Sequence, residues 1–229
     1  MENTTDMLSE TIDMPNESHL ACVLLLDTSN SMTGAKIDSL NDGLARFIEQ
    51  VKQDKIAQRR LDVAIVEFNT TVEVVQDFLP ISQITAPTLT AKGWTHMGEA
   101  IEKAVEMAKE RNRLYASVGT PAHKPWIFMI TDGVPEGEPP EAMDRAIELV
   151  QLEERKGDHG KLKFWSLAVQ GTREDLLHKL SDRVLELEGK DFTGIFDWLA
   201  KSMVPISVST VGSDPQYAPL PPNIVPARW

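Results

Sequence analysis

A chain of 229 residues, 41% hydrophobic and 25% charged, has enough apolar content to bury a core of its own, and one α/β domain is expected rather than two small ones. Its net charge of −12 argues against phosphate-backbone binding, and its single cysteine, Cys22, rules out a disulfide framework. No stretch approaches the roughly 18–20 consecutive apolar residues that span a bilayer, and the N-terminus lacks a secretory signal, so a cytoplasmic protein with no membrane and no nucleic-acid partner is expected.

Residues 1–18 carry Glu2, Asp6, Glu10, Asp13 and Glu17 with no Lys or Arg, which reads as an acidic, mostly mobile leader. Met7, Leu8, Ile12 and Met14 are the residues by which a short arm of it could lie on the domain. The run Leu20-Ala-Cys-Val-Leu-Leu-Leu26 then has the uninterrupted apolar character of a strand buried on both faces of a parallel sheet, with Cys22 as one of its small buried residues. It stops at Asp27, Thr28, Ser29, Asn30 and Ser31, all short oxygen-bearing side chains. An open α/β sheet binds its ligand at the carboxyl ends of its strands, and hard divalent cations take oxygen donors.

Ile37, Leu40, Leu44, Phe47, Ile48 and Val51 recur at helical spacing. Two strand-like runs follow, Leu61–Phe68 and Thr71–Phe78, joined by only Asn69-Thr70. That link is too short for a parallel crossover, so an antiparallel hairpin with its second strand at the sheet edge is expected. After a loop over residues 80–92, Gly93-Trp-Thr-His-Met-Gly98 opens a helix whose apolar face is Met97, Ala100, Ile101, Ala104, Val105 and Ala108.

Trp126–Thr131 reads as another buried strand, ending at Asp132-Gly133. A helix with Met143, Ala146, Ile147 and Val150 inward is closed by Gly157, and Leu162–Val169 is the next strand. Thr172 with Asp175 has the form of a capping box for a short helix carrying Leu176, Leu177 and Leu180. Val184–Leu187 is a last short strand, and a final helix uses Phe192, Ile195, Phe196, Leu199 and Met203. From Ser213 onward, recurrent proline excludes regular helix.

The expected organisation is a leader over 1–18, a domain over 19–204 and a proline-rich tail over 205–229. The domain is α/β, Rossmann-like and doubly wound: a mainly parallel six-stranded sheet with one antiparallel edge strand and helices on both faces.

Three separated pieces share one address in such a sheet: Asp27–Ser31 after the first strand, Thr95 entering a helix, and Asp132 after Trp126–Thr131. Asp-x-Ser-x-Ser, a distant Gly-x-Thr and a later Thr-Asp-Gly resemble the metal-ion-dependent adhesion site of von Willebrand factor type A domains, over roughly residues 19–203. The resemblance implies a Mg2+ (or Mn2+) site. Ser29 and Ser31 would ligate through their hydroxyls, Thr95 directly or through water, and Asp27 and Asp132 mainly through waters and hydrogen bonds to the serines. It implies a non-enzymatic protein-interaction domain, a monomer when alone, whose protein partner offers an Asp or Glu carboxylate to the metal.

Asn30 stands where the family often has glycine, and Asn tolerates left-handed backbone. Trp94 and His96 flank Thr95 and are the candidate partner-binding rim, His96 being read as an exposed residue that starts its helix. Lys36-Ile-Asp-Ser-Leu-Asn41 and Asp191-Phe-Thr-Gly-Ile-Phe-Asp-Trp-Leu199 resemble small bacterial stand-alone members associated with tellurium resistance and stress response.

Other readings remain. The Ser, Thr and Asp residues could merely cap turns and helix starts. A metal-dependent hydrolase or phosphatase could use the same strand-end site, or the domain could be a metal-independent regulatory scaffold. A dehalogenase-type phosphotransferase needs a second Asp where Ser29 stands, there is no Gly-x-Ser-x-Gly elbow, and a Ser29 or Ser31, His96, Asp132 triad has only its residue types. No nucleotide loop and no Cys/His zinc cluster is present. Because the final helix leads straight into the tail, ligand binding is expected to be able to reposition that tail.

Overall fold

The computed structural model describes residues 11–154, 161–169 and 174–227; the leader up to Glu10, the helix-closing Gly157 and Thr172 of the expected capping box lie outside them. The first apolar run forms β1, Leu20–Asp27, every residue of it buried. It pairs in parallel with β2, Leu61–Phe68, on one side and with β4, Trp126–Thr131, on the other. β3, Val72–Pro80, closes the expected hairpin antiparallel to β2, and β5, Lys163–Val169, and β6, Val184–Leu187, extend the parallel sheet beyond β4.

Side chains on a strand alternate between faces, and β1 shows what this does. Cys22, Leu24 and Leu26 enter the core shared with helix α1, Ala35–Lys52, while Ala21, Val23 and Leu25 enter the core under helix α3, Met97–Val118. The apolar positions of α1, among them Leu40, Leu44 and Phe47, meet Phe196 and Leu199 of helix α6, Thr193–Ser207, on the first face. Those of α3 meet Met143 and Ala146 of helix α4, Pro140–Glu154, on the second. A four-residue helix, α2 (Ala57–Arg60), and α5, Glu174–Leu180, complete the helices described. None is long and apolar enough to cross a membrane.

Gly98 lets α3 press against the start of α4: a Cβ there would lie 2.6 Å from the carbonyl carbon of Ala142 and 2.7 Å from the nitrogen of Met143. Because those atoms are backbone, they cannot swing aside. The Gly98→Ala variant is expected to lose about 1–3 kcal/mol in urea denaturation, and unchanged stability would mean that α4 shifts freely.

Among the described residues the sheet has seven strands, not six, in the order β3-β2-β1-β4-β5-β6-β7, and both edges are antiparallel. The seventh, β7 (Ile224–Pro226), comes from the proline-rich tail and pairs with β6 through Leu187↔Ile224 and Leu185↔Pro226. Proline bars helix but is admitted at a sheet edge, so the same residues that exclude a helix permit this strand. The tail is held upstream as well. The ring of Tyr217 packs 5.4 Å from Trp165 and 5.7 Å from Trp126, centroid to centroid, and Trp198 Nε1 donates to the carbonyl of Ala218 at 2.7 Å. Helix α6 runs through Pro205 to Ser207, across the expected start of the tail.

The described part of the leader lies on the domain. Ile12 is buried, Asp13 accepts two hydrogen bonds of 2.6 Å from Arg59, and Glu17 accepts one of 2.6 Å from Arg60. Arginines of the short α2 thus neutralise leader carboxylates that carry no local counter-charge.

Candidate functional site

Strand order reverses around β1: the chain leaves it to β2 on one side, and β4 arrives on the other. The carboxyl ends of β1 and β4 therefore flank the crevice where such sheets bind ligands. The register sets Leu26 beside Ile130, which brings the next residues, Asp27 and Thr131, level.

Asp27 is fully buried and its oxygens are both used: Oδ1 accepts from the Ser29 amide at 2.8 Å and Oδ2 from the Thr131 hydroxyl at 2.6 Å. Burial pushes its carboxyl above the usual value, against the hydrogen bonds from Ser29 and Thr131. Thr28 pins the loop to the hairpin, receiving Asn69 Nδ2 on its hydroxyl at 2.9 Å. A 3-10 turn, Asn30–Met32, then presents Ser31 to solvent. Among described residues other than glycine only Met14 has a positive φ, so the left-handed tolerance of Asn30 is not called upon. Asn30 is held instead by its amide on the carbonyl of Gly93 at 3.0 Å.

The two serine hydroxyls are 2.9 Å apart, and that of Ser31 donates to Asp132 Oδ1 at 2.6 Å. The other oxygen of Asp132, Oδ2, receives the ammonium of Lys36, which also reaches the carbonyl of Ser31 at 3.3 Å. Thr95 is buried and tied to the loop after β4 by two reciprocal 3.0 Å backbone hydrogen bonds with Glu136. Gly133 marks where these pieces meet. A Cβ there would lie 3.5 Å from Thr95 Oγ1, 3.6 Å from Ser31 Oγ and 3.8 Å from Asp27 Oδ2.

Asp27, Ser29, Ser31, Thr95 and Asp132 are therefore gathered at one point on the crest of the sheet. The donor set is oxygen throughout, hydroxyls in front and two carboxylates beside and beneath them. Among the described residues no three His, Cys, Asp or Glu side chains form a metal-ligand group, so a cation here would depend on the hydroxyls. That chemistry suits a hard ion such as Mg2+ and not zinc.

Trp94 stands at the rim, 53% exposed, with Val134 also exposed nearby in the loop after β4. His96 does start its helix, as the residue capping α3, but it is not exposed: its side chain is 16% accessible, with Nδ1 3.3 Å from Glu99 Oε2. The cause is Gly137, whose left-handed backbone (φ 86°) lets the loop close down until its Cβ position is 2.9 Å from Trp94 Cβ and 3.2 Å from His96 Nε2. The serine–histidine–aspartate arrangement has no geometry here, since Ser31 donates to Asp132 with no histidine between them.

Thr131, Lys36 and Glu138 contribute without having been singled out for it. Thr131 lies in the same Thr-Asp-Gly piece as Asp132 and Gly133, which is signal enough. Glu138 accepts from the amides of Gly98 at 2.7 Å and Glu99 at 3.2 Å, capping α3 from a distant loop that no local pattern announces. The segments Lys36–Asn41 and Asp191–Leu199 touch: the Ser39 hydroxyl accepts from the Phe192 amide at 2.8 Å, which docks α6 onto α1.

Residues 22–134 match the family described as von Willebrand factor type A domain, a stretch that contains every one of the gathered residues. Solved structures share the fold. A von Willebrand factor type A protein from Catenulispora acidiphila superposes with a TM-score of 0.55 at 17% identity, over 83% of this chain and 42% of that one. The ArnB paralog VWA2 from Sulfolobus acidocaldarius does so at 0.55 and 17%, over 82% and 46%. The pilus adhesin SpaC from Lactobacillus rhamnosus GG, in its open conformation, does so at 0.65 and 12%, over 84% and 31%. The chain spans less than half the length of each of these, and at such identities the likeness is one of fold. No curated protein matches it by sequence.

Proposed function

Because this chain carries a von Willebrand factor type A domain, we propose that it is a non-enzymatic, divalent-metal-dependent protein-interaction module. Ser29, Ser31 and Thr95 would hold a Mg2+ or Mn2+ through their hydroxyls, with Asp27 and Asp132 orienting the serines from behind. When bound, such an ion supplies a positive, incompletely satisfied coordination position, to which a partner protein's Asp or Glu carboxylate is drawn. The observation that carries the reading is the convergence of Thr95 Oγ1, Ser31 Oγ and Asp27 Oδ2 on the point beside Gly133.

The surroundings support contact with a protein. Trp94 and Val134 leave apolar surface exposed at the rim, and large exposed aromatics favour interfaces. One fold relative, SpaC, is a pilus adhesin, which favours binding over catalysis for this chain too. As part of the same proposal, the module works in a bacterial cytoplasm within a stress-response or tellurium-resistance-type system, on the strength of the Lys36–Asn41 and Asp191–Leu199 segments.

A metal-independent scaffold is the second reading, favoured by one observation: Lys36 already neutralises Asp132. Calorimetry separates the two. Mg2+ or Mn2+ titrated into chelator-treated protein is expected to bind saturably, and to lose at least about tenfold in affinity in the Ser29→Ala, Ser31→Ala double variant. No heat at millimolar metal, with or without an aspartate-containing peptide, overturns the metal reading in favour of the scaffold.

A further inference from the structure

Lys36 is oddly placed. It is the second residue of α1, in the first turn of an 18-residue helix, where the helix dipole favours anions and opposes cations. Its side chain is nevertheless mostly buried, 21% accessible, because the ammonium is drawn onto Asp132, whose carboxylate is fully buried. With Ser31 and Ser29 this makes one continuous chain, ammonium to carboxylate to hydroxyl to hydroxyl, along the face where the metal reading puts its ligands.

We infer that Lys36 is the site's own cation: it holds Asp132 while no divalent ion is bound, opposes that ion's entry, and becomes a second positive contact for an acidic ligand once the ion is in place. This rests on the metal reading above and adds its regulation. The charges show the consequence. Asp27 and Asp132 alone would neutralise a divalent ion; with the ammonium of Lys36 beside them, the loaded site keeps a net positive charge. Two cations sharing one carboxylate repel strongly in a partly dry site. The ion should therefore bind weakly by itself and more tightly when a carboxylate arrives to offset the excess. Coupling of this kind is reciprocal, so the acidic ligand should in turn need the ion. The flexible four-carbon stem of lysine lets its ammonium turn from Asp132 to such a ligand without moving the backbone.

The test is calorimetry of Mg2+ on the full chain, with and without saturating acetate as the simplest carboxylate, for wild type, Lys36→Met and Lys36→Arg. Removing the charge while keeping the stem, Lys36→Met is expected to bind Mg2+ about tenfold more tightly in acetate-free buffer, and to lose most of the gain that acetate confers on wild type. Lys36→Arg keeps the charge and should stay near wild type. In acetate-free buffer, Mg2+ binding by Lys36→Met and none by wild type, with wild type binding once acetate is added, would support the inference in its strongest form. Equal affinity in wild type and Lys36→Met, both abolished by the double serine substitution, would overturn the role of Lys36 and leave the metal site standing. Failure of all three proteins to bind would overturn the metal reading and this inference with it. Thermal melts in chelator check folding: Lys36→Met should melt cooperatively, somewhat below wild type, because Asp132 has lost its partner.

Discussion

Replacing Arg111 with methionine should cost the fold about 3–5 kcal/mol, the range for removing one partner of a buried ion pair. Arg111 and Asp62 are both buried, and Arg111 Nη2 donates to Asp62 Oδ2 at 3.0 Å. The same carboxylate oxygen receives the hydroxyl of Tyr115 and faces His19 Nδ1 at 3.0 Å, while Asp62 Oδ1 has no partner. Burial holds the Tyr115 phenol well above its ordinary range, so it remains a neutral donor and cannot replace the lost cation. Arg111 also reaches outward, donating to the Thr11 hydroxyl at 2.5 Å, and lies 5.1 Å from the ring of Tyr115. The substitution therefore strands a charge and releases the described end of the leader together. Against a total stability of about 5–15 kcal/mol, a loss of that size should be plain in urea denaturation. Pairing it with Asp62→Leu removes the stranded charge and should recover much of the loss. If the double variant is no more stable than Arg111→Met alone, the buried charge is not what the network supports.

Gly133→Leu should leave the fold intact and remove the metal site. The backbone at Gly133 is not left-handed, so a side chain brings no strain there, and its Cβ would make ordinary contacts with Thr95, Ser31 and Asp27. The rest of a leucine must then occupy the space those oxygens face. Mg2+ affinity is expected to fall by about 10- to 100-fold or more, with the melting temperature in chelator nearly unchanged. Because no proposed ligand is altered, this variant tests the place rather than the donors. Wild-type Mg2+ binding in Gly133→Leu would move the ion elsewhere.

Both predictions depend on contacts of very different visibility. Arg111 is one of several charged residues in a helix, and nothing in its spacing marks it as buried. It meets Asp62 across 49 positions of sequence because α3 lays its last turns over the amino ends of β1 and β2. His19 and Tyr115 join for the same reason. Gly133, by contrast, lies inside a motif whose three pieces were each legible, and the sheet brings them to one address.

The sequence by itself determined whatever a short window encodes. The uninterrupted apolar run of β1 and its abrupt polar end, the helical spacing in α1 and α3, and a hairpin forced by the two residues between its strands were all readable, because periodicity and link length act locally. The placing of Asp27, Ser29, Ser31 and Asp132 at strand ends, and of Thr95 at the entry to a helix, followed from those elements. Tertiary structure alone decided the pairings between distant segments: β7 on the open edge of β6, Glu138 on the start of α3, His96 folded under Gly137, and Lys36 on Asp132 across 96 positions. A proline-rich tail reads the same whether free or paired, and a lysine reads the same whether solvated or buried against a carboxylate. Which of these happens depends on unpaired edges and buried charges that exist only once the sheet has formed.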